Sequence, residues 1–123
     1  MGLSDRAESI AGLRMIEPLG YLDFVKLMAD SAVVLTDSGG VQEETTILGV
    51  PCLTLRENTE RPITVTQGTN RLTGSATKAI VGAYRGVRDR PPRRTAAPDL
   101  WDGKAADRIV AVLTENRYGT DGN

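Results

Sequence analysis

Val33-Val34-Leu35-Thr36-Asp37-Ser38-Gly39-Gly40-Val41-Gln42-Glu43-Glu44 decides how the chain is read. A short apolar, β-branched run stops at Thr-Asp-Ser-Gly-Gly, and a polar, helix-favouring run follows at once. That pattern predicts a strand, a tight turn and a helix N-terminus. Two glycines let backbone amides approach a ligand closely, and the helix dipole favours an anion there. Ser38 adds a hydroxyl. Glu44 falls about one turn past the glycines, where its carboxylate can accept hydrogen bonds from sugar hydroxyls while the amides hold phosphate. Together these features suggest a nucleotide site. The plainer reading is a turn with Ser38 as helix N-cap. Gly-x-Gly-x-x-Gly is absent and no Lys follows the glycines, so the stretch is neither a dinucleotide fingerprint nor a Walker A loop.

Working outward, Ala32 to Thr36 reads as a buried strand of a parallel sheet, apolar on both faces. Val41 to Leu48 is expected to be helical, closed by Gly49. Pro51 to Leu55 reads as the next strand, with Cys52 placed for packing rather than catalysis. Residues 56–69 form a polar loop with one turn after Pro62. Asn70 to Thr73 is a short strand, and Thr77 to about Val87 a helix. Upstream, Arg14-Met15-Ile16-Glu17 is expected to be a short strand ended by Pro18. Leu22, Phe24, Val25, Leu27 and Met28 lie on a helix of about 10 residues. Downstream, Arg88-Asp89-Arg90-Pro91-Pro92-Arg93-Arg94 reads as a solvated linker in preference to a phosphate clamp. Asp102 to about Glu115 is the last helix, with Ala106, Ile109, Val110 and Leu113 on its buried face. Residues 1–12 are expected to form a flexible N-terminus, 13–116 the nucleotide-binding unit and 117–123 a flexible tail.

Alternating strands and helices give an α/β fold with a parallel sheet. Ligands on such sheets bind at the carboxyl ends of the strands. Ser38, Gly39 and Gly40 follow one such end, and Arg56 and Arg61 follow the next, so both groups can face one crevice.

Composition narrows the function. The chain has 123 residues, 15 basic and 16 acidic, for a formal charge of −1. That balance gives no electrostatic case for nucleic acid or an anionic membrane surface. No stretch approaches the roughly 20 apolar residues of a membrane span, and the N-terminus lacks an apolar signal core, so the cytoplasm is the expected compartment. There is one cysteine and no histidine. The missing histidine excludes, within this chain, a Ser-His-Asp mechanism and a His-built zinc site.

The central block, together with Leu48-Gly49-Val50-Pro51-Cys52-Leu53 and Arg56-Glu57-Asn58-Thr59-Glu60-Arg61-Pro62, closely resembles the non-hydrolysing UDP-N-acetylglucosamine 2-epimerases. Glu17-Pro18-Leu19-Gly20-Tyr21-Leu22-Asp23-Phe24, Gly68-Thr69-Asn70-Arg71-Leu72-Thr73-Gly74 and Trp101-Asp102-Gly103-Lys104-Ala105-Ala106 fit the same family. The Thr-Glu-Arg-Pro segment favours the non-hydrolysing branch. The match runs from about residue 10 to residue 115 and resembles the C-terminal part, about the last third, of a family member.

The resemblance implies a partial Rossmann-like parallel sheet with flanking helices, the later part of the second half of a two-domain GT-B-like fold. It implies UDP-N-acetylglucosamine or UDP as ligand, no cofactor and no metal, and a place in cell-envelope polysaccharide biosynthesis. It places uridine contacts at Leu19, through its backbone, and at Phe24, against the uracil ring. Ser38, Gly39 and Gly40 match the diphosphate-binding turn, Glu44 the carboxylate that binds ribose, and Arg61 an arginine of the nucleotide site. The plainer readings are core packing for Phe24 and a solvated surface pair for Glu44 and Arg61.

The family interconverts UDP-N-acetylglucosamine and UDP-N-acetylmannosamine by losing UDP to a 2-acetamidoglucal intermediate and adding it back. The groups assigned to that proton chemistry lie in parts of a family member that this chain does not match, so no catalytic residue is carried over. Asp37, Glu43 and Glu60 are carboxylates in the neighbourhood without a catalytic assignment. In the strand order 3-2-1-4-5-6, the run at 14–17 corresponds to strand 3 and that at 32–36 to strand 4, with strands 1 and 2 missing. An open edge beside residues 32–36 is therefore expected, inviting self-association or pairing with a separately encoded N-terminal half. The first expectation is thus an epimerase fragment with UDP contacts and an incomplete catalytic set. The alternatives are a non-catalytic nucleotide-sugar-binding module or inactive remnant, and a glycosyltransferase half-domain. The Thr-Glu-Arg-Pro and Asp-Ser-Gly-Gly pair argues against the last.

Overall fold

The computed structural model describes residues 2–92 and 97–119. Its centre is a three-stranded parallel sheet of β1 (Val34–Thr36), β2 (Cys52–Thr54) and β3 (Asn70–Leu72), in the order β1-β2-β3. Val34 stands opposite Cys52, and Cys52 opposite Asn70. The middle strand is buried throughout: Cys52, Leu53 and Thr54 are each no more than 1% exposed. Burial pushes the Cys52 thiol up from its ordinary value, which makes it a packing group rather than a nucleophile. The edge of β1 opposite β2 carries no strand among the described residues, and Leu35 is exposed on it. The expected open edge is there.

Helices complete the layers. After α1 (Leu3–Glu8), helix α2 (Tyr21–Ala29) packs on α3 (Gly39–Leu48), burying Met28. Helix α3 lies against all three strands and against α4 (Pro62–Thr66). Gly49 ends α3 in the left-handed conformation, φ 71°, with its N–H on the last-turn carbonyls. Gly68 admits the close packing of α3 and α4: a Cβ there would lie 2.5 Å from the Thr64 carbonyl oxygen. Helix α5 (Thr77–Asp89) packs on β2. It runs on through Arg88, which pairs with Asp89, so the expected linker begins later, at Arg90. Arg93 and Arg94 lie outside the described residues.

Two expectations are corrected. Residues 14–17 form no strand; Met15 and Ile16 are 60% and 56% exposed. A strand exists only by pairing, and no described strand lies beside this one to accept its backbone groups. The last helix, α6 (Ala105–Gly119), has the expected apolar stripe but not the expected burial. Ile109, Val110 and Leu113 are 59%, 62% and 63% exposed, and Ala106 is exposed too. The helix starts later than expected because Gly103 is left-handed, φ 78°. Asp102 stays outside and binds the Lys104 N–H and the Arg108 guanidinium. Residues 120–123 of the expected tail lie outside the described residues.

Candidate functional site

The carboxyl ends of the strands feed the site. After β1 the chain turns at Asp37, and Ser38 caps α3, its hydroxyl accepting from the Val41 N–H at 3.5 Å. Its own N–H donates to Thr36 Oγ1 at 3.0 Å. The first N–H groups of a helix have no acceptor within it, so those of Gly39 and Gly40 are available to a ligand, where the helix dipole favours negative charge.

The fold itself does not require these two glycines. Neither has a positive φ. A Cβ on Gly39 would meet nothing nearer than Arg61 Cγ at 3.9 Å, and one on Gly40 nothing nearer than Ser38 Oγ at 3.9 Å. Glycine is a weaker helix former than alanine. Space held open at that cost suits close approach by a group outside the chain.

Arg61 comes to the same place from the loop after β2. It precedes α4, lies alongside Gly39, and pairs through Nε with Glu43 on α3. The two side chains are 44% and 39% exposed, so the pair is worth little to stability. Free amides at a helix N-terminus and a guanidinium on the same helix are donors that suit an anion such as phosphate. Arg56, the other arginine expected at the crevice, is engaged elsewhere in its loop. It grips Glu60 with two hydrogen bonds, at 2.8 and 3.2 Å, and reaches Asn58 at 3.2 Å. The Arg56 hydrogen bond holds the Glu60 carboxyl below its usual range.

Glu44 is on a different side of α3 from Glu43. Half-buried, it lines a shallow recess between α2 and α3 with Tyr21, Val25, Ile47 and Leu48. Leu19 and Phe24, at the start of α2, are 41% and 37% exposed and lie outside that recess. The structure therefore brings Ser38, Gly39, Gly40 and Arg61 together. Glu44 stands one turn along α3, while Leu19, just before α2, and Phe24, in its first turn, are not brought into that group.

Sequence reasoning missed a group of polar residues beneath the turn. Gln42, Thr54, Thr64 and Asn70 are all at most 5% exposed and are joined by side-chain hydrogen bonds, which Thr59 extends into the Arg61 loop. The available signal was a threonine inside an otherwise apolar strand and an asparagine opening the next.

Comparison with known proteins is consistent across sequence and structure. The family model described as UDP-N-acetylglucosamine 2-epimerase matches residues 2–114. The chain is 43% identical to the UDP-N-acetylglucosamine 2-epimerase of Methanocaldococcus jannaschii over 116 residues, covering 94% of this chain and 31% of that protein. It is 39% identical to that of Neisseria meningitidis, covering 94% and 32%. The M. jannaschii enzyme in complex with UDP-GlcNAc and UDP superimposes with a TM-score of 0.79 at 45% identity, over 91% of this chain and 30% of that one. The N. meningitidis enzyme bound to UDP-GlcNAc gives 0.76 at 38% identity, over 91% and 32%. The chain thus spans about a third of the length of these relatives.

Proposed function

The chain belongs to the UDP-N-acetylglucosamine 2-epimerase family, and on that premise we propose that it supplies the UDP-binding wall of an epimerase cleft without the groups that move the C2 proton. In this reading the Ser38-Gly39-Gly40 turn and Arg61 hold the diphosphate. Glu44 accepts from the ribose hydroxyls, and Leu19 and Phe24 contact the uracil. Residues 13–116 act as the nucleotide-binding unit.

The observation that carries the reading is the glycine pair. Two glycines that neither conformation nor packing demands sit at a helix N-terminus, with the Arg61 side chain alongside Gly39 and its guanidinium on Glu43 of the same helix. Relatives superimposable on the same stretch are solved with UDP or UDP-GlcNAc. UDP is also the leaving group of the family reaction, departing with negative charge on its diphosphate, so charge stabilisation at this turn would serve departure as well as binding.

Epimerisation requires positioned acid and base groups at both faces of C2. Asp37, Glu43 and Glu60 do not fill those roles in this reading: Glu43 is committed to Arg61, and Glu60 to Arg56. The proton chemistry then comes from a partner surface. A surface equivalent to the first half of a family member would complete the cleft, and activity gained on adding such a half would support the reading.

The test separates ribose from phosphate recognition. In calorimetric titrations Glu44→Gln weakens UDP, by about 1.5–3 kcal/mol if the carboxylate bonds are charge-assisted, and leaves pyrophosphate nearly unchanged. Equal losses for both ligands would place Glu44 on the phosphates or in the fold. Chromatographic separation of the two sugar nucleotides after long incubation should show no turnover by the purified chain. Turnover abolished by Arg61→Ala would put the acid and base inside it.

A further inference from the structure

Arg61 lies on an exposed loop, yet its main chain is held on both sides. Its N–H donates to Thr59 Oγ1 at 2.9 Å, and its carbonyl accepts from Thr64 Oγ1 at 2.7 Å. Each hydroxyl is itself anchored in the interior. Thr59 donates to Gln42 Oε1 at 2.6 Å, and Thr64 accepts from Asn70 Nδ2 at 3.0 Å. Asn70 Nδ2 also donates to Gln42 Oε1 at 3.0 Å, and Asn70 Oδ1 accepts from Thr54 on the central strand. The bonds close a ring that leaves Arg61 at its nitrogen, passes through Thr59, Gln42, Asn70 and Thr64, and returns to Arg61 at its oxygen.

The ring leaves no freedom in the direction of its hydroxyls. Thr59 must give its proton to Gln42 in order to offer a lone pair to the Arg61 N–H. Thr64 must give its proton to the Arg61 carbonyl, which can only accept, while its oxygen accepts from the Asn70 amide. Gln42 is fully buried, and its Nε2 has no partner among the described residues. An unpaired buried donor costs about 1–3 kcal/mol, which makes Gln42 a poor choice for stability alone.

We infer that Gln42 and Asn70 are positioning residues: through the Thr59 and Thr64 hydroxyls they fix the backbone of Arg61 and so place its guanidinium over the Gly39 end of α3. The consequence for UDP rests on the function proposed above. The placement of Arg61 does not. The arrangement also links the Arg61 loop to the Ser38–Gly40 turn, because Gln42 belongs to the helix that this turn opens. One buried asparagine on β3 thereby sets the distance between the helix amides and the guanidinium.

Two readouts on the full chain test this. The first is amide hydrogen exchange in Gln42→Met, which keeps side-chain length and removes the acceptor. The Arg61 amide is expected to exchange about tenfold faster, a hydrogen bond's worth of protection, while the Leu55 amide, bonded to the Thr36 carbonyl in the sheet at 2.8 Å, keeps its wild-type rate. The second is a double-mutant cycle on the UDP dissociation constant. Gln42→Met should weaken UDP about five- to tenfold in the wild-type background and less than twofold in Arg61→Met, because its effect passes through Arg61. Should Gln42→Met loosen Leu55 as well, Thr59→Val, on the loop, replaces it in both measurements with the same expected outcomes. An Arg61 amide that stays protected in both variants overturns the inference. So does a loss of UDP affinity that adds in full to that of Arg61→Met, since the ring would then act through the fold. A wild-type chain that does not bind UDP refutes the proposed function, and the exchange result still decides whether the ring holds Arg61.

Discussion

The surroundings of the Ser38–Gly40 turn and the last helix are built by opposite means. Around the turn, α3, the 56–61 loop and β3 are tied by hydrogen bonds between side chains that are mostly buried within a few ångströms of one another. Helix α6 carries a stripe of Ile109, Val112 and Leu113 that lies open to solvent. The hydrogen-bonded ring is closed by residues 42–70 alone. The apolar stripe needs a surface that the described residues do not supply. Polar networks specify a local geometry because every donor must find its acceptor, whereas an apolar face states only that something should cover it.

This contrast is sharpest at Asn70. Asn70→Leu should destabilise the chain by about 3 kcal/mol in urea denaturation, because it strips partners from Thr54, Thr64 and Gln42 at once. A loss below 1 kcal/mol would mean, on the same scale, that water replaces the network readily. Gly68→Ala comes next, at about 1–3 kcal/mol, because its Cβ would press on the Thr64 carbonyl and the Thr46 side chain. Leu113→Ala should fall within about 0.5 kcal/mol of wild type, as exposed positions do. A larger loss would break the comparison by showing that α6 is covered in solution, and a concentration dependence of that loss would identify a second copy as the cover.

The smallest effect concerns pH. Glu60 has a folded-state pKa below its usual range, chiefly through the Arg56 hydrogen bond. The pair therefore contributes above the unfolded glutamate value and is lost as pH falls through the lower, folded value. The group is exposed, so the expected signal is a carboxyl titration observed by NMR that shifts back to the ordinary range in Arg56→Ala, with little change in melting temperature.

The same physics explains what could be read in the sequence. Local chemistry announces itself: Ser38 before two glycines, Gly49 after Leu48 and Pro62 opening α4 each fix a helix end, and each stands where it was expected. The parallel strands around Cys52 followed from an apolar run between turns. Pairing and cover do not announce themselves. Met15 and Ile16 have a strand-like composition, and the α6 stripe a buried-helix spacing, but both depend on a neighbour. At the site, the glycine turn and Arg61 were visible as residue types in order. The ring beneath them was not, because Gln42, Thr59 and Asn70 are far apart in sequence and ordinary in kind.

The most direct test of the account is a UDP titration of the full chain followed by backbone amide NMR. Saturable shifts centred on Gly39, Gly40, Glu44 and Arg61, with α6 unmoved, are the predicted result. Absence of saturable shifts in a folded sample at millimolar UDP, or shifts confined to other surfaces, would contradict the claim that this turn is a diphosphate site.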